Sequence, residues 1–133
     1  MQKETFEDAI KRIIQQDSRF DVDAYYFLKE ALDYTAQEMS LNSVEHSRHV
    51  SAEQLLHGFK DLALKEFGPM ASTLFNEWGI KSCGDVGDIV FLLIKEGVFG
   101  KQDNDSPEDF IEVYSFQSAF IDPYLPKQVS KVG

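Results

Sequence analysis

Two stripes of apolar residues in the N-terminal third recur every three to four positions, and this spacing predicts two amphipathic helices within residues 5–40. Thr5 followed by Asp8 is typical of a helix start, and a second start is expected near Asp21. The first stripe consists of Phe6, Ala9, Ile10, Ile13 and Ile14. The second stripe consists of Ala24, Phe27, Leu28, Ala31, Leu32, Thr35 and Met39. The polar stretch at 41–49 lacks this periodicity and is predicted to be a loop.

Three further helix signals, separated by glycines, fill residues 51–97. Ser51 and Gln54 form the sequence pattern of a capping box at the first of them. The middle helix is short and ends at Trp78, which we expect to be a core anchor. Glycine tolerates the left-handed conformation that often ends a helix, and the three helix ends are assigned to Gly68, Gly79 and Gly97. A helix, a short helix, a tight turn and a longer helix predict a helix-turn-helix, winged-helix-like tri-helical core.

The segment that follows, residues 98–116, has the pattern of a small β-hairpin, or wing. Val98 and Phe99 are predicted to form a short strand, and residues 110–116 are rich in the aromatic and β-branched residues of a return strand. The C-terminal tail at 117–133 is expected to contain a short helix before Pro123 and Pro126, and then to fray. The predicted fold class is mainly α, in one domain over residues 1–133.

Composition and charge narrow the classes of protein. The chain has 133 residues, 43% of them hydrophobic and 11 of them Phe, which is enough to bury one core. Its net charge of −10 at pH 7 repels phosphate backbones and anionic membranes, and therefore argues against nucleic acid as a partner. No apolar stretch reaches the roughly 18 residues of a membrane span, and the N-terminus lacks the pattern of a secretory signal.

A lone cysteine, Cys83, excludes an intramolecular disulfide and suits a reducing compartment, so we expect a cytoplasmic protein. Two interpretations of its side chain stay open. It is either a small packing residue in the first turn of a helix or a reactive thiol whose pKa is lowered by the helix N-terminus.

One cluster of candidate metal ligands surrounds the start of the third predicted helix, and it consists of His46, His49, Glu53 and His57. Glu53 and His57 lie one helical turn apart, and the two other histidines lie on the preceding loop. A divalent metal requires three or four converging nitrogen or oxygen donors. The alternative is a set of solvated side chains beside a helix start, and we predict no cofactor.

Aromatic residues form a second candidate site. Tyr25, Tyr26 and Tyr34 flank the apolar stripe of the second helix, and Tyr114 lies in the predicted return strand. Tyrosine is enriched at protein interfaces, so these four side chains are candidates for an interaction surface. The alternative is that the rings close the core.

Six stretches distributed over most of the chain resemble a bacterial family without an assigned activity, which we associate with planctomycetes and verrucomicrobia. They are DAYYFL at 23–28, EALDYT at 30–35, RHVS at 48–51, FGPMA at 67–71, EWGI at 77–80 and SPEDF at 106–110. The resemblance implies a bacterial cytoplasmic protein and supplies no cofactor or catalytic residue.

The leading functional hypothesis is a non-catalytic protein-interaction or scaffold module, and a homodimer through the aromatic N-terminal helices is one form of it. A second hypothesis is a transcriptional or nucleic-acid regulator that uses its few basic positions, namely Lys11, Arg12, Arg19 and Arg48. An enzyme without a recognisable motif is the third.

Overall fold

The computed structural model describes residues 5–42, 50–99, 106–111 and 113–126, and these fold mainly into α-helices. The helices are α1 (Phe6–Gln16), α2 (Val22–Asn42), α3 (Ala52–Phe67), α4 (Ala71–Trp78) and α5 (Cys83–Lys95). Short 3₁₀ turns cover Gly68–Met70, Pro107–Phe110 and Asp122–Tyr124, and a π-helical turn covers Gln117–Ile121. The predicted mainly α fold class is therefore confirmed. Within the described residues, no helix combines the length and apolarity that crossing a membrane requires.

The predicted starts of α1 and α3 are confirmed by their caps. The backbone N–H of Asp8 donates to the Thr5 hydroxyl at 3.1 Å, and that of Gln54 donates to the Ser51 hydroxyl at the same distance. In both caps the side chain three residues on accepts in return from the backbone of the capping residue. Such reciprocal bonds satisfy the free N–H groups of the first turn, which is why short local patterns predict these positions.

The turn between α4 and α5 contains a glycine for two reasons. Gly79 has a φ of +88°, and the N–H of Ile80 donates to the carbonyl of Phe75 at 2.8 Å, as in a Schellman ending. A β-carbon at Gly79 would also lie 2.6 Å from the carbonyl oxygen of Arg19. The turn is thereby pressed against the linker between α1 and α2.

One aromatic cluster joins the N-terminal helices to the rest of the core. Its hub is Phe75, which is only 1% exposed. Its ring lies 5.0 to 6.3 Å, centroid to centroid, from those of Phe27, Phe59, Phe67, Trp78, Phe116 and Phe120. Trp78 itself is half-buried and packs against this cluster, at 5.9 Å from Phe27 of α2. The core thus ties α2, α3 and α4 to the C-terminal turn.

The predicted β-hairpin at 98–116 is wrong, because the described residues of this segment contain no strand. Phe110 belongs instead to a 3₁₀ turn, and its buried ring packs edge-on against Phe91 of α5 at 5.8 Å. Gly87 leaves the space for it, since a β-carbon there would lie 2.6 Å from the Phe110 β-carbon. Phe110 therefore serves as a single buried anchor on α5. The loop of this hairpin was predicted at residues 100–109, and residues 100–105 of it, together with residue 112 of the predicted return strand, lie outside the described residues.

The last helix of the predicted tri-helical unit is enclosed by its neighbours. Helix α5 packs against α1, α2, α3 and the Pro107–Phe110 turn. Its buried residues are Cys83, Val86, Gly87, Ile89, Val90 and Leu93. The order and extents of α3, α4 and α5 agree with the prediction. Most of the α5 surface, however, packs against other parts of the protein.

Candidate functional site

Helices α2 and α3 run antiparallel and come into close contact at Thr35 and Gly58. Thr35 is 5% exposed, and its hydroxyl donates to the Ala31 carbonyl at 2.7 Å. A β-carbon on Gly58 would lie 1.8 Å from the Thr35 Oγ1, so only glycine permits this approach. Toward the other end of the pair, Phe27 of α2 packs against Phe67 of α3 at 5.1 Å.

A groove of about 300 Å³ opens on the solvent side of this contact, and we call it the α2–α3 groove. It is lined by Thr35, Glu38, Met39, Glu53, Gln54, His57, Gly58 and Asp61. The buried Thr35 and Gly58 form its floor, and the half-buried Met39 adds an apolar wall from α2. The groove is therefore a concave surface built on two helices and fixed by their packing.

Carboxylates stand on both walls of the α2–α3 groove. Glu38 lies on α2, and Glu53 and Asp61 lie on α3; all three are exposed. None of them forms an ion pair with another described residue. The exposed His57 also lines the groove, and its ring centroid lies 6.0 Å from that of Tyr114. This surface thus carries negative charge that the described part of the chain leaves uncompensated.

The predicted metal ligands are only partly brought together. Glu53 and His57 both line the α2–α3 groove, whereas His46 and His49 lie outside the described residues. Across the described ranges, no three His, Cys, Asp or Glu side chains are placed to hold a metal ion. Two groove residues alone supply fewer donors than a divalent metal site needs.

Tyr25, one of the predicted interaction residues, has a fully buried side chain and therefore cannot contact a partner protein. Its hydroxyl has no hydrogen-bond partner among the residues that the structure describes. The pKa of Tyr25 is raised to about 12, mainly by burial; the nearby charge of Asp17 contributes to the increase, and that of Arg19 opposes it. The helical stripe at this position faces the core, as the adjacent Ala24 does, so Tyr25 is a packing residue.

Tyr26 and Tyr34 occupy two different surfaces. Tyr26 is 37% exposed and packs edge-on against Phe6 of α1 at 5.5 Å. Tyr34 is half-buried, and the ammonium nitrogen of Lys65 lies 5.6 Å from its ring centre. These two tyrosines therefore do not combine into one aromatic face.

Tyr114 fastens the C-terminal segment to the helices. Its hydroxyl donates to the backbone carbonyl of Leu56 at 2.7 Å, and its own carbonyl accepts from the Cys83 thiol at 3.2 Å. Burial is the main cause that raises the Tyr114 pKa, and burial likewise raises the pKa of Cys83. The packing interpretation of Cys83 is therefore favoured over the reactive one, because a raised pKa lowers the thiolate fraction.

The described basic residues on which the hypothesis of a nucleic-acid regulator rests form ion pairs with acidic side chains. Lys11 lies 3.9 Å from Glu7, and the Arg12 guanidinium donates to Glu96 at 2.8 Å. Two carboxylates of α5 hold the guanidinium of Arg19, with Asp88 at 2.6 Å and Asp85 also in contact. Arg48 lies outside the described residues. The three described basic positions thus contribute to ion pairs within the fold and do not form a free basic patch.

The groove as a whole was not predicted from the sequence, although one signal for it exists. Gly58 interrupts a strongly helical segment, and a glycine inside a helix costs about 1 kcal/mol relative to alanine unless close packing requires it. Such a glycine indicates that another backbone or side chain approaches. The partner, Thr35, lies on a different helix and is identified only by the fold.

Comparison of the chain with protein-family models, with curated proteins and with solved structures finds no match.

Proposed function

We propose that this chain is a non-catalytic protein-interaction module that receives a segment of a partner protein in the α2–α3 groove. The observation that carries the proposal is a fixed concave surface whose charged walls have no partner within the described part of the chain. Grooves between packed helices are a recurrent binding site for helical or extended segments. The close Thr35–Gly58 contact keeps the two walls at a constant separation, which reduces the ordering cost of binding.

The regulator is the less favoured function, even though α3, α4 and α5 follow the order of a helix-turn-helix unit. A recognition helix must present one face to a DNA groove. Helix α5 instead buries its apolar residues and lies under the Pro107–Phe110 turn. Its half-buried carboxylate Asp88 has the same sign of charge as a phosphate, and the guanidinium of Arg19 is already paired with it. A helix-turn-helix disposition therefore remains a proposal about the fold and carries no DNA-binding function.

An enzyme is disfavoured by the state of the candidate nucleophile. Cys83 is 2% exposed, and burial raises its pKa. An active-site cysteine needs the opposite shift and access to a substrate. The exposed His57 lines the α2–α3 groove, with its ring centroid 6.0 Å from that of Tyr114. These side chains do not supply a nucleophile with an adjacent base.

The proposal places the module in the cytoplasm of a bacterium. The sequence resemblance supports a bacterial source, and a buried free thiol such as Cys83 suits a reducing compartment. A homodimer through α1 and α2 is a weaker form of the proposal, because Tyr25 is buried and Tyr26 packs on Phe6 of its own chain.

Photo-cross-linking in cells that express the protein tests the function. A photoreactive phenylalanine analogue replaces His57 in the groove or, as a matched control, Gln37, which is exposed on α2 and does not line the groove. We expect a discrete cross-linked band on denaturing gels from position 57 and none from position 37. Equal cross-linking at both positions, or none at position 57, contradicts the proposal.

A further inference from the structure

We propose that the segment bound in the α2–α3 groove is positively charged and amphipathic, with lysine or arginine residues flanking an apolar side chain. This inference rests on the proposed function and specifies the chemistry of the partner. It combines the placement of three carboxylates with the apolar character of the groove between them.

The carboxylates define where positive charges should lie. Glu53 and Asp61 are eight residues apart on α3, which corresponds to about 12 Å along the helix axis at 1.5 Å per residue. Glu38 faces them from α2 across the groove. A helical partner with basic residues about two turns apart would meet both α3 carboxylates, because two turns span a similar length.

The groove between the carboxylates accepts an apolar side chain. Met39 is half-buried on its wall, and methionine is flexible enough to adapt to ligands of different shape. The floor of the groove is shallow and uncharged, because Gly58 has no side chain and the Thr35 side chain fills the space beside its α-carbon. An apolar side chain placed here would remove carbon surface from water, which adds affinity to the attraction between the charges.

The same features disfavour other occupants. Nucleic acids and anionic lipid surfaces would bring negative charge against three carboxylates. A second copy of this chain would approach with the same net charge of −10. Charge complementarity therefore selects a basic protein segment among these classes of partner.

Selection from a displayed library of random 16-residue peptides tests the inference with the full-length protein. The groove variant combines Glu38→Gln, Glu53→Gln and Asp61→Asn. The matched control combines Asp23→Asn, Glu30→Gln and Glu66→Gln, which are exposed positions that do not line the groove. Both variants lose three negative charges, so non-specific attraction of basic peptides is equal in the two. Synthetic copies of the enriched peptides are then titrated against all three proteins by fluorescence anisotropy.

We expect wild-type protein to enrich peptides that carry lysine or arginine together with apolar residues. The groove variant should bind them about ten-fold more weakly, since each of the three exposed ion pairs contributes a factor of roughly two. The control should bind like the wild type, and affinity should fall with added salt.

Two other results separate the failure of this inference from failure of the proposed function. If neutral or acidic peptides are enriched and compete with cross-linking at position 57, the proposed function is supported. The proposed positive charge of the partner segment is then contradicted. Basic peptides that the groove variant and the control bind equally well would also overturn it, because the attraction would then be non-specific. Absence of any enriched peptide, together with absence of cross-linking at position 57, would overturn both.

Discussion

Gly58 and Thr35 fix the distance between α2 and α3. A β-carbon on Gly58 would lie 1.8 Å from the Thr35 Oγ1 and 2.9 Å from its Cβ, which no relaxation of the hydroxyl alone could relieve. The Thr35 hydroxyl is in turn directed at the Ala31 carbonyl, at 2.7 Å. The α2–α3 groove is thus built on a contact that depends on the absence of one methyl group.

Replacement of Gly58 by alanine should therefore destabilise the protein. In an unconstrained helix this change is favourable by about 1 kcal/mol. Here the added methyl group has to push α2 away, and overpacking of this kind costs about 1 to 3 kcal/mol. We expect Gly58→Ala to lower the free energy of unfolding in urea titrations followed by circular dichroism. The displaced helices should also weaken any ligand of the groove.

Gly84→Ala is the matched control for this experiment. Gly84 also lies in a helix, but a β-carbon there would meet only the Ser82 hydroxyl at 3.6 Å, an ordinary contact. This variant should keep or raise the stability of the protein. If Gly58→Ala is as stable as Gly84→Ala, the close approach of α2 and α3 is absent in solution.

Removal of the hydroxyl group should have opposite effects on stability at Tyr25 and at Tyr114. The Tyr25 hydroxyl is buried without a hydrogen-bond partner in the described part of the chain, whereas the Tyr114 hydroxyl donates to the Leu56 carbonyl. An unsatisfied buried polar group costs about 1 to 3 kcal/mol, so Tyr25→Phe should raise the free energy of unfolding. Tyr114→Phe loses its hydrogen bond and should lower that energy by about 1 kcal/mol. Equal effects of the two changes in urea titrations would contradict the hydrogen-bond assignment.

Part of the pH dependence of stability at high pH should come from the phenol of Tyr25, and Tyr114, whose pKa burial also raises, should contribute in the same direction. In the unfolded chain a tyrosine ionises near pH 10, whereas burial raises the pKa of Tyr25 in the fold to about 12. Between these values the folded state holds the proton and the unfolded state has released it, so the free energy of unfolding decreases as the pH rises. Urea titrations from pH 9 to 12 should show this decrease, and Tyr25→Phe should reduce its slope. An unchanged slope would show that Tyr25 ionises equally in both states.

Helix positions could be predicted from the sequence because their signals are local. The caps of α1 and α3 each involve residues three positions apart, as with Ser51 and Gln54. The hairpin failed because an aromatic and β-branched segment indicates burial without specifying how the backbone achieves it. Phe110 is buried against Phe91, which lies far from it in sequence. Only the tertiary fold shows that this space exists.

The candidate site was harder to predict for the same reason. Glu53 and His57 were identified through their helical spacing, which is a local property. Glu38 and Asp61 join them only because Gly58 lets α2 approach α3. The burial of Tyr25 likewise depends on which face of α2 is turned toward the core. Hydrophobic periodicity predicts that face approximately and does not decide between adjacent positions such as Ala24 and Tyr25.

Cys83 should react slowly with thiol reagents while the protein is folded. Its side chain is buried, and burial raises its pKa. We expect reaction with a disulfide reagent at pH 8 to be at least about a hundred-fold slower in buffer than in denaturant, because it requires opening of the structure. As a control, Gln37→Cys in a Cys83→Ala background should react rapidly in both conditions. A fast reaction of Cys83 in the folded protein would support the interpretation that its thiol is reactive.

Phe75 should be the most sensitive aromatic position, ahead of Trp78. Phe75 is 1% exposed and contacts rings from α2, α3 and the C-terminal turn, whereas Trp78 is half-buried. Truncation of a buried phenylalanine to alanine costs about 3 to 5 kcal/mol, a large part of the 5 to 15 kcal/mol that stabilises an ordinary domain.

Phe75→Leu is a milder variant that should remain folded and can be measured if Phe75→Ala cannot. Met70→Ala, at a residue 55% exposed, should change stability by less than about 0.5 kcal/mol. Urea titrations followed by the fluorescence of Trp78, whose ring lies 5.7 Å from that of Phe75, measure all three. A Phe75→Leu variant as stable as Met70→Ala would show that the aromatic cluster does not organise the core.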